Sequence, residues 1–364
     1  MHKTAAWPLA LIYIGLIVYA SLYPFGEWRD QGIAPWAFLS APWPRYWTGF
    51  DVTINVLGYI PLGGLLALSA LRTGRSRHPV LMPALVGGVL ALTMECLQGY
   101  LPVRVASRED LLLNLGGAWA GAVGTLVLEK MGAIDRWSRL RARWFVDHSR
   151  GGLVLLALWP MALLFPAAVP FGLGQVLDRL EGAWSEWMID SPFLEWLPTP
   201  GLELRALVPG AELVCVTLGL LIPCLLGFCV VRAIGRRLVL ALLVLALGVA
   251  ATGLSAALSW GPAHAWAWLD LPTQLGLAAA AVLALLLLAI PVRASAALVL
   301  LALGIYLSLL NQAPESPYFA QTLQAWEQGR FIRFNGLAQW VGWLWPYGTL
   351  VYVLSLVWRR DTKN

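Results

Sequence analysis

Charge is scarce in this chain. Lysine, arginine, aspartate and glutamate make up 12% of its 364 residues, whereas a soluble domain carries about 25%. The four cysteines and four histidines show no metal-ligand spacing and suggest no disulfide framework. These shortages argue against a soluble globular protein, a disulfide-stabilised secreted domain and a metal centre. No metal or other cofactor is expected.

Apolar residues are abundant, at 59% of the chain. They form runs of about 17–25 residues, the length that a helix needs to cross a membrane. A lipid-embedded backbone must satisfy its own hydrogen bonds, so each run is expected to be helical. The sequence predicts an all-α, polytopic integral membrane protein with about ten transmembrane helices. They are expected at residues 5–23, 51–71, 80–101, 110–128, 151–171, 209–231, 237–259, 273–291, 295–310 and 336–358.

The first run has a second interpretation, as a signal peptide cleaved after Val18-Tyr19-Ala20. The apolar core of a signal peptide is usually shorter than residues 7–24, so a membrane helix is favoured.

Loop charge predicts the orientation. Of the 25 lysine and arginine residues, 17 lie in the two tails and in every second loop, including the long loop 129–150. Positive loops stay in the cytoplasm, so both termini are expected there. The net charge of +5 is then a topology signal and does not require nucleic acid as a partner. We expect a multi-pass protein of the bacterial cytoplasmic (inner) membrane.

The basic segment 129–150 divides the predicted helices into two groups. Residues 1–128 would form a four-helix membrane domain, and residues 151–364 a six-helix extension of unknown role. The segment itself would be a cytoplasmic linker, either an ordinary charged loop or a helix lying on anionic lipid.

Polar residues are concentrated in the first third of the chain. Seven of them are expected near one outer surface: Asp51, Asn55, Glu95, Gln98, Arg104, Asp110 and Asn114. Each Asp-x3-Asn pair shares one helix face because its members are four residues apart. An intramembrane carboxylate needs a partner, which Arg104 or Arg108 can supply. The pattern predicts a ligand-binding site, without an assigned catalytic residue or metal ligand.

Simpler roles exist for most of these residues. Asp51 and Asp110 stand where helix N-caps belong, and Asn55 and Asn114 could merely join helices. Glu95 is the strongest candidate, since it lies about two turns below the predicted surface and intramembrane carboxylates are usually functional.

Residues 51–64 and 110–121 resemble each other. Each stretch begins with aspartate, carries asparagine four residues later and continues into glycines. Both begin on the same predicted side, so they would be parallel copies of a helical hairpin, unless the match is coincidental.

Two stretches carry a resemblance to a known family. The first is D-x3-N-x5-PLG at residues 51–63, and the second is E-x2-Q followed by R-x5-D-x3-N-x-GG at residues 95–117. Together they resemble the VanZ family over about residues 10–130. The chain departs from that family at Ser107, where an acidic residue is frequent, and in its extension 151–364.

The resemblance implies a cell-envelope protein, because the VanZ family is named for a protein that raises resistance to the glycopeptide teicoplanin. No biochemical activity is settled for the family. We expect an outer-leaflet pocket for a membrane lipid, such as a lipid-linked saccharide or peptidoglycan precursor. Arg104 would bind phosphate or carboxylate, while Glu95 and the amides would bind sugar or peptide groups.

Three other functions are compatible with the sequence. A transferase or hydrolase acting on such a lipid could use Glu95 as a base, but no nucleophile–base pair or HExxH motif accompanies it. Enzymatic activity is therefore not favoured.

A flippase or transporter suits ten spans, yet predicted helices six to ten offer no charged pathway. A scaffold for envelope enzymes would leave little trace, and the sequence does not indicate an oligomeric state.

Overall fold

The structure is a computed structural model that describes residues 6–22, 25, 28–43, 49–74, 78–146, 149–177, 180, 184, 207–314 and 332–361. The chain divides into two units, Met1–Leu140 and Arg141–Asn364. This division falls inside the predicted linker 129–150.

The described residues form eleven α-helices. These are α1 (Ala6–Leu22), α2 (Gly49–Thr73), α3 (Leu81–Gln98), α4 (Arg108–Lys130), α5 (Ala133–Trp144), α6 (Arg150–Ala162), α7 (Pro209–Val230), α8 (Ile234–Trp260), α9 (Leu271–Leu286), α10 (Val292–Leu310) and α11 (Ile332–Asp361). Apart from one isolated bridge, between Phe145 and Val231, the described residues contain no β-structure. The predicted all-α class is confirmed.

Seven of the described helices are long and apolar enough to cross a membrane: α2, α3, α4, α7, α8, α10 and α11. They confirm the predicted polytopic membrane protein. Helices α1, α6 and α9 are shorter and also apolar, and each lies at the position of a predicted span. Ten crossings and cytoplasmic termini stay predictions.

The predicted span 151–171 is wrong in its second half. Helix α6 ends at Ala162, and the chain continues through turns and bends as far as Phe171. Pro166 and Pro170 lie in this part of the chain. Proline lacks a backbone N–H and clashes with the preceding helical turn, so two prolines four residues apart disfavour a helix there. Single prolines are accommodated inside α2, α6, α7 and α11.

Helices α2 and α4 pack against each other through glycines in the first unit. A Cβ atom added to Gly117 would clash with the Val56 carbonyl oxygen, and one added to Gly121 would clash with that of Ile60. The contacting residues advance together along the chain, so the two helices run parallel. Small residues allow this backbone approach, through which membrane helices associate without a hydrophobic driving force.

Helix α3 runs antiparallel to α4. A Cβ atom added to Gly87 would contact Ala118, and one added to Gly88 would contact Leu115. Glu95, two turns further along α3, contacts the beginning of α4 (described below). The first unit therefore brings the start of α2, the end of α3 and the start of α4 to the same end of the helices.

Helix α7 forms the centre of the second unit. Apart from Leu218, all its residues from Cys215 to Val230 are buried. Three of the four cysteines lie in this helix, and all four have free thiols. The Arg237 side chain of α8 is buried and donates to the carbonyl oxygens of Leu288 (2.9 Å) and Ile290 (2.7 Å), which follow α9.

Candidate ligand-binding site

Ser107 organises the beginning of α4. It is the N-cap residue, and its hydroxyl oxygen accepts a hydrogen bond from the Asp110 backbone N–H at 3.2 Å. The hydroxyl also donates to the Glu109 carboxylate at 2.8 Å. A serine is one of the preferred N-caps, so the departure from the family pattern at this position has a structural role.

The structure excludes an N-cap role for Asp110 and Asp51. Asp110 is the third residue of α4, after the cap at Ser107. Asp51 is the third residue of α2, which begins at Gly49. The Asp51 side chain itself lies outside the described residues.

Asn55 and Asp110 join α2 to α4. The Asn55 side-chain amide donates to the Asp110 carboxylate at 2.8 Å. Both side chains are half-buried. This contact couples the two predicted Asp-x3-Asn pairs, because the asparagine of the first pair bonds to the aspartate of the second.

Tyr59 and Asn114 lie one turn deeper than this hydrogen bond. Four residues further along each helix, Gly63 packs against Ala118. Tyr59 and Asn114 therefore lie between two levels of α2–α4 contact, namely the Asn55–Asp110 hydrogen bond and the Gly63–Ala118 contact. Tyr59 is 5% exposed and Asn114 is 6% exposed. The Tyr59 hydroxyl and the Asn114 carbonyl oxygen (Oδ1) have no hydrogen-bond partner among the described residues. Such buried polar atoms are rare and costly unless a ligand or water satisfies them.

Glu95 brings a carboxylate to the same region from α3. It is 3% exposed, and its Oε2 atom accepts a hydrogen bond from the Ser107 backbone N–H at 2.8 Å. The Glu95 carboxylate is also within electrostatic range of the Tyr59 hydroxyl. We refer to Asn55, Tyr59, Glu95, Asp110 and Asn114 as the polar cluster.

Gln98 and Arg104 bind α1. The Gln98 amide donates to the Ser21 carbonyl oxygen at 3.0 Å, and the Arg104 guanidinium donates to that of Ala20 at 3.3 Å. Arg104 is only 9% exposed. The last carbonyl groups of a helix lack partners within it, so both side chains help to complete the end of α1.

Arg108 is the first residue of α4. Its guanidinium forms an ion pair with Glu109 at 3.3 Å and covers the Trp43 ring, 4.0 Å from the ring centroid. A cation over an aromatic face is attracted by the ring quadrupole. Arg108 therefore pairs with a neighbouring residue at the helix start, whereas the sequence offered it as a partner for an intramembrane carboxylate.

Comparison with known proteins identifies the first unit. Residues 8–129 match the family model described as VanZ/LLP1. We refer to these residues as the VanZ-like domain. The match confirms the resemblance inferred from the two motifs, and it contains the whole polar cluster. No curated protein and no solved structure matches the chain.

The VanZ-like domain brings together four of the seven predicted site residues, namely Asn55, Glu95, Asp110 and Asn114. Sequence reasoning missed Tyr59, although its spacing of four from Asn55 places it on the same face of α2. Tyrosine is common in membrane helices near the boundary with water, which is why it did not stand out.

The chemistry available in the polar cluster is mainly that of hydrogen-bond acceptors. Carboxylates and the Asn114 Oδ1 atom accept hydrogen bonds, and the Tyr59 hydroxyl can either donate or accept. Among the described residues, no group of three or more His, Cys, Asp or Glu side chains is arranged to hold a metal ion. The arrangement suits a ligand that carries hydroxyl or amide donors.

Proposed function

We propose that the VanZ-like domain binds the polar head group of a membrane lipid in the outer leaflet of a bacterial cytoplasmic membrane. The ligand would be a lipid-linked saccharide or a peptidoglycan precursor. The polar cluster would hold its hydroxyl or amide groups. By retaining or masking such a precursor, the domain would alter access of glycopeptides to their target at the cell surface.

One observation carries this proposal. The Tyr59 hydroxyl and the Asn114 Oδ1 atom are buried without a partner among the described residues, and the Glu95 carboxylate is within electrostatic range of the Tyr59 hydroxyl. Leaving a buried polar atom unpaired costs about 1–3 kcal/mol. A hydroxyl-rich head group would remove this cost, because each of its O–H groups can donate to Asn114 or Glu95 and accept from Tyr59.

The electrostatics favour sugar or peptide groups over phosphate in the cluster. Glu95 and Asp110 both contribute carboxylates, which repel an anion at close range. The Arg104 guanidinium, expected from the sequence to bind phosphate, donates to the Ala20 carbonyl oxygen at the end of α1. The proposal therefore places the saccharide or peptide part of the ligand against the cluster, and any phosphate outside it.

Lipid that co-purifies with the protein tests the proposal. Wild-type protein and the variants Tyr59→Phe, Asn114→Leu and Glu95→Gln would be purified in the same detergent, and their bound lipids identified by mass spectrometry. We expect a saccharide-bearing or peptide-bearing lipid with the wild type and at least a tenfold loss in Asn114→Leu. Thr125→Val is a matched control, since Thr125 lies on the same helix and bonds to Gly64 below the cluster.

A second measurement separates binding from catalysis. Purified protein incubated with lipid-linked sugar would return the lipid unchanged if the domain only binds it. A wild-type lipid profile in all three variants, with normal membrane levels, would refute the proposal. In cells, the same variants are expected to lose any effect on teicoplanin susceptibility, while Thr125→Val keeps it.

A further inference from the structure

A cavity of about 240 Å³ lies in the second unit, apart from the VanZ-like domain. Its walls are the turns after α6, the first turn of α7, the last nine residues of α8 and the segment that leads into α9. Small-molecule pockets usually measure roughly 300–1,000 Å³. The space is therefore suited to a small chemical group and too small for a drug-sized molecule.

Aromatic rings form one side of this cavity. Phe171 and Trp268 line it and meet edge to face, with their ring centroids 5.7 Å apart and an interplanar angle of 82°. Trp260, at the end of α8, also lines it. The faces of such rings carry negative potential, and tryptophan gives the strongest attraction for a cation.

The aromatic wall is held in place by hydrogen bonds. The buried Tyr306 hydroxyl donates to the Phe171 carbonyl oxygen at 2.6 Å and accepts from the Leu173 N–H. The Trp268 indole N–H donates to the Ala265 carbonyl oxygen at 2.9 Å. Phe171 has a φ of +61°, a conformation that an L-residue adopts at a cost of about 1–3 kcal/mol. This wall is preorganised.

Two carboxylates line the same cavity, Glu212 of α7 and Asp270 at the N-cap of α9. They are within electrostatic range of each other. No lysine, arginine or histidine among the described residues forms an ion pair with either one. Each also stands at a helix N-terminus, whose dipole contributes about half a positive charge. Two carboxylates and two such dipoles leave a net charge of about −1 in the cavity.

A hydroxyl group adds a further unsatisfied atom to the lining. The Thr252 Oγ1 atom is buried and has no hydrogen-bond partner among the described residues. Its neighbour on the same helix, Ser255, is satisfied, because it donates to the Leu164 carbonyl oxygen at 2.9 Å. The Thr252 oxygen can accept a hydrogen bond from an N–H or O–H group in the cavity.

We propose that this cavity binds an organic ammonium group, with Glu212 and Asp270 compensating its charge and Trp260 and Trp268 contacting its carbon-bound hydrogens. One cation neutralises the net charge, and an aromatic wall stabilises an alkylated ammonium better than a hydrated metal ion. The group could belong to a lipid head group or to a free amine. This site is independent of the head-group site in the VanZ-like domain.

Choline and its neutral carbon isostere, 3,3-dimethylbutan-1-ol, provide matched probes. Binding would be measured with full-length protein in phosphatidylglycerol nanodiscs, by saturation-transfer NMR with ligand titration. We expect choline to bind and the isostere to bind at least tenfold more weakly, since only their charge differs. Equal affinity for the two probes would overturn the proposal.

The variants remove charge while keeping local structure. Asn is an equally good N-cap, so Asp270→Asn retains the hydrogen bond to the Thr273 N–H, which measures 2.9 Å in the wild type. The double variant Glu212→Gln/Asp270→Asn is expected to bind choline at least tenfold more weakly, equivalent to about 1.4 kcal/mol. Glu129→Gln, in the first unit, is the control and should bind as the wild type does. Unchanged binding in a folded double variant would refute the assignment.

Two nanodisc compositions distinguish the sources of the ammonium group. If lipid supplies it, phosphatidylcholine nanodiscs will suppress choline binding, whereas phosphatidylglycerol nanodiscs will not. If a free amine is the ligand, choline binds equally in both. Either result supports an ammonium site, and the absence of choline binding in phosphatidylglycerol nanodiscs contradicts it.

Discussion

The Asn55 amide and the Asp110 carboxylate are 2.8 Å apart and connect two parallel helices of the VanZ-like domain. This hydrogen bond joins the asparagine of the first Asp-x3-Asn motif to the aspartate of the second. It also closes one level of contact above Tyr59 and Asn114, the buried residues whose polar atoms lack partners. The two pairs follow one another along the same helix faces, yet their expected responses to mutation are opposite.

The Asn55–Asp110 pair is expected to be structural. A hydrogen bond to a charged group contributes about 1.5–3 kcal/mol, and this one is partly exposed, so a coupling of about 1–2 kcal/mol is expected. A double-mutant cycle with Asn55→Ala and Asp110→Ala, read by SDS-induced unfolding, measures it. Additive effects of the two substitutions would show that the pair does not stabilise the domain.

Tyr59 and Asn114 are expected to be dispensable for folding. Tyr59→Phe and Asn114→Leu each remove a buried polar atom that has no described partner, so the stability of the ligand-free protein should stay the same or rise by about 1 kcal/mol. Lipid co-purification should nevertheless fall. SDS unfolding of delipidated protein, measured beside the lipid analysis, checks both effects. A loss of more than about 2 kcal/mol in both variants would indicate structural roles instead.

The glycines of α4 should differ sharply in their tolerance of alanine. Gly121→Ala places a methyl group against the Ile60 carbonyl oxygen and should destabilise the domain by about 1–3 kcal/mol. Gly124→Ala is the control, because a Cβ atom there meets nothing within 4 Å. Alanine favours helix by about 1 kcal/mol over glycine, so this control should be neutral or stabilising. Equal unfolding midpoints for the two variants would contradict the observed helix packing.

The predicted orientation can be tested with single cysteines. Val105, which is 86% exposed in the connection before α4, should be accessible from outside the cell, whereas exposed Arg139 of α5 should be accessible only from the cytoplasm. Val105→Cys and Arg139→Cys would be introduced into a cysteine-free variant and labelled with an impermeant maleimide, before and after permeabilisation. Labelling of Arg139→Cys in intact cells would reverse the assignment from the positive-inside rule.

Sequence reasoning was most successful where a single physical constraint acts locally. Long apolar runs predicted the helices because lipid leaves the backbone no alternative. The prediction of a helix was wrong at residues 163–171, where α6 ends within an apolar run that contains two prolines. Hydropathy does not register the loss of a backbone hydrogen-bond donor at proline.

The site could be predicted only in part, for a different reason. The spacing of Asp110 and Asn114 revealed a shared helix face, but the offset between α2 and α4 depends on which glycines contact which backbone atoms. Arg104 was predicted as a ligand residue from its charge, and its hydrogen bond to the end of α1 could not be read from the sequence. Tyr59 escaped notice because its importance comes from the absence of a described partner for its hydroxyl, a property that exists only in three dimensions.

The contact between Gly63 and Ala118 also determines whether a bound ligand can pass between α2 and α4 across the membrane. One turn below Tyr59 and Asn114, the backbones of α2 and α4 meet with no room for a Cβ atom on Gly63. The contact therefore blocks a molecule bound between these two helices from moving further along them. Such a molecule has to dissociate on the side from which it entered. Such a site can hold or present its ligand at one face of the bilayer only. Moving the ligand through the α2–α4 interface would require the two helices to separate.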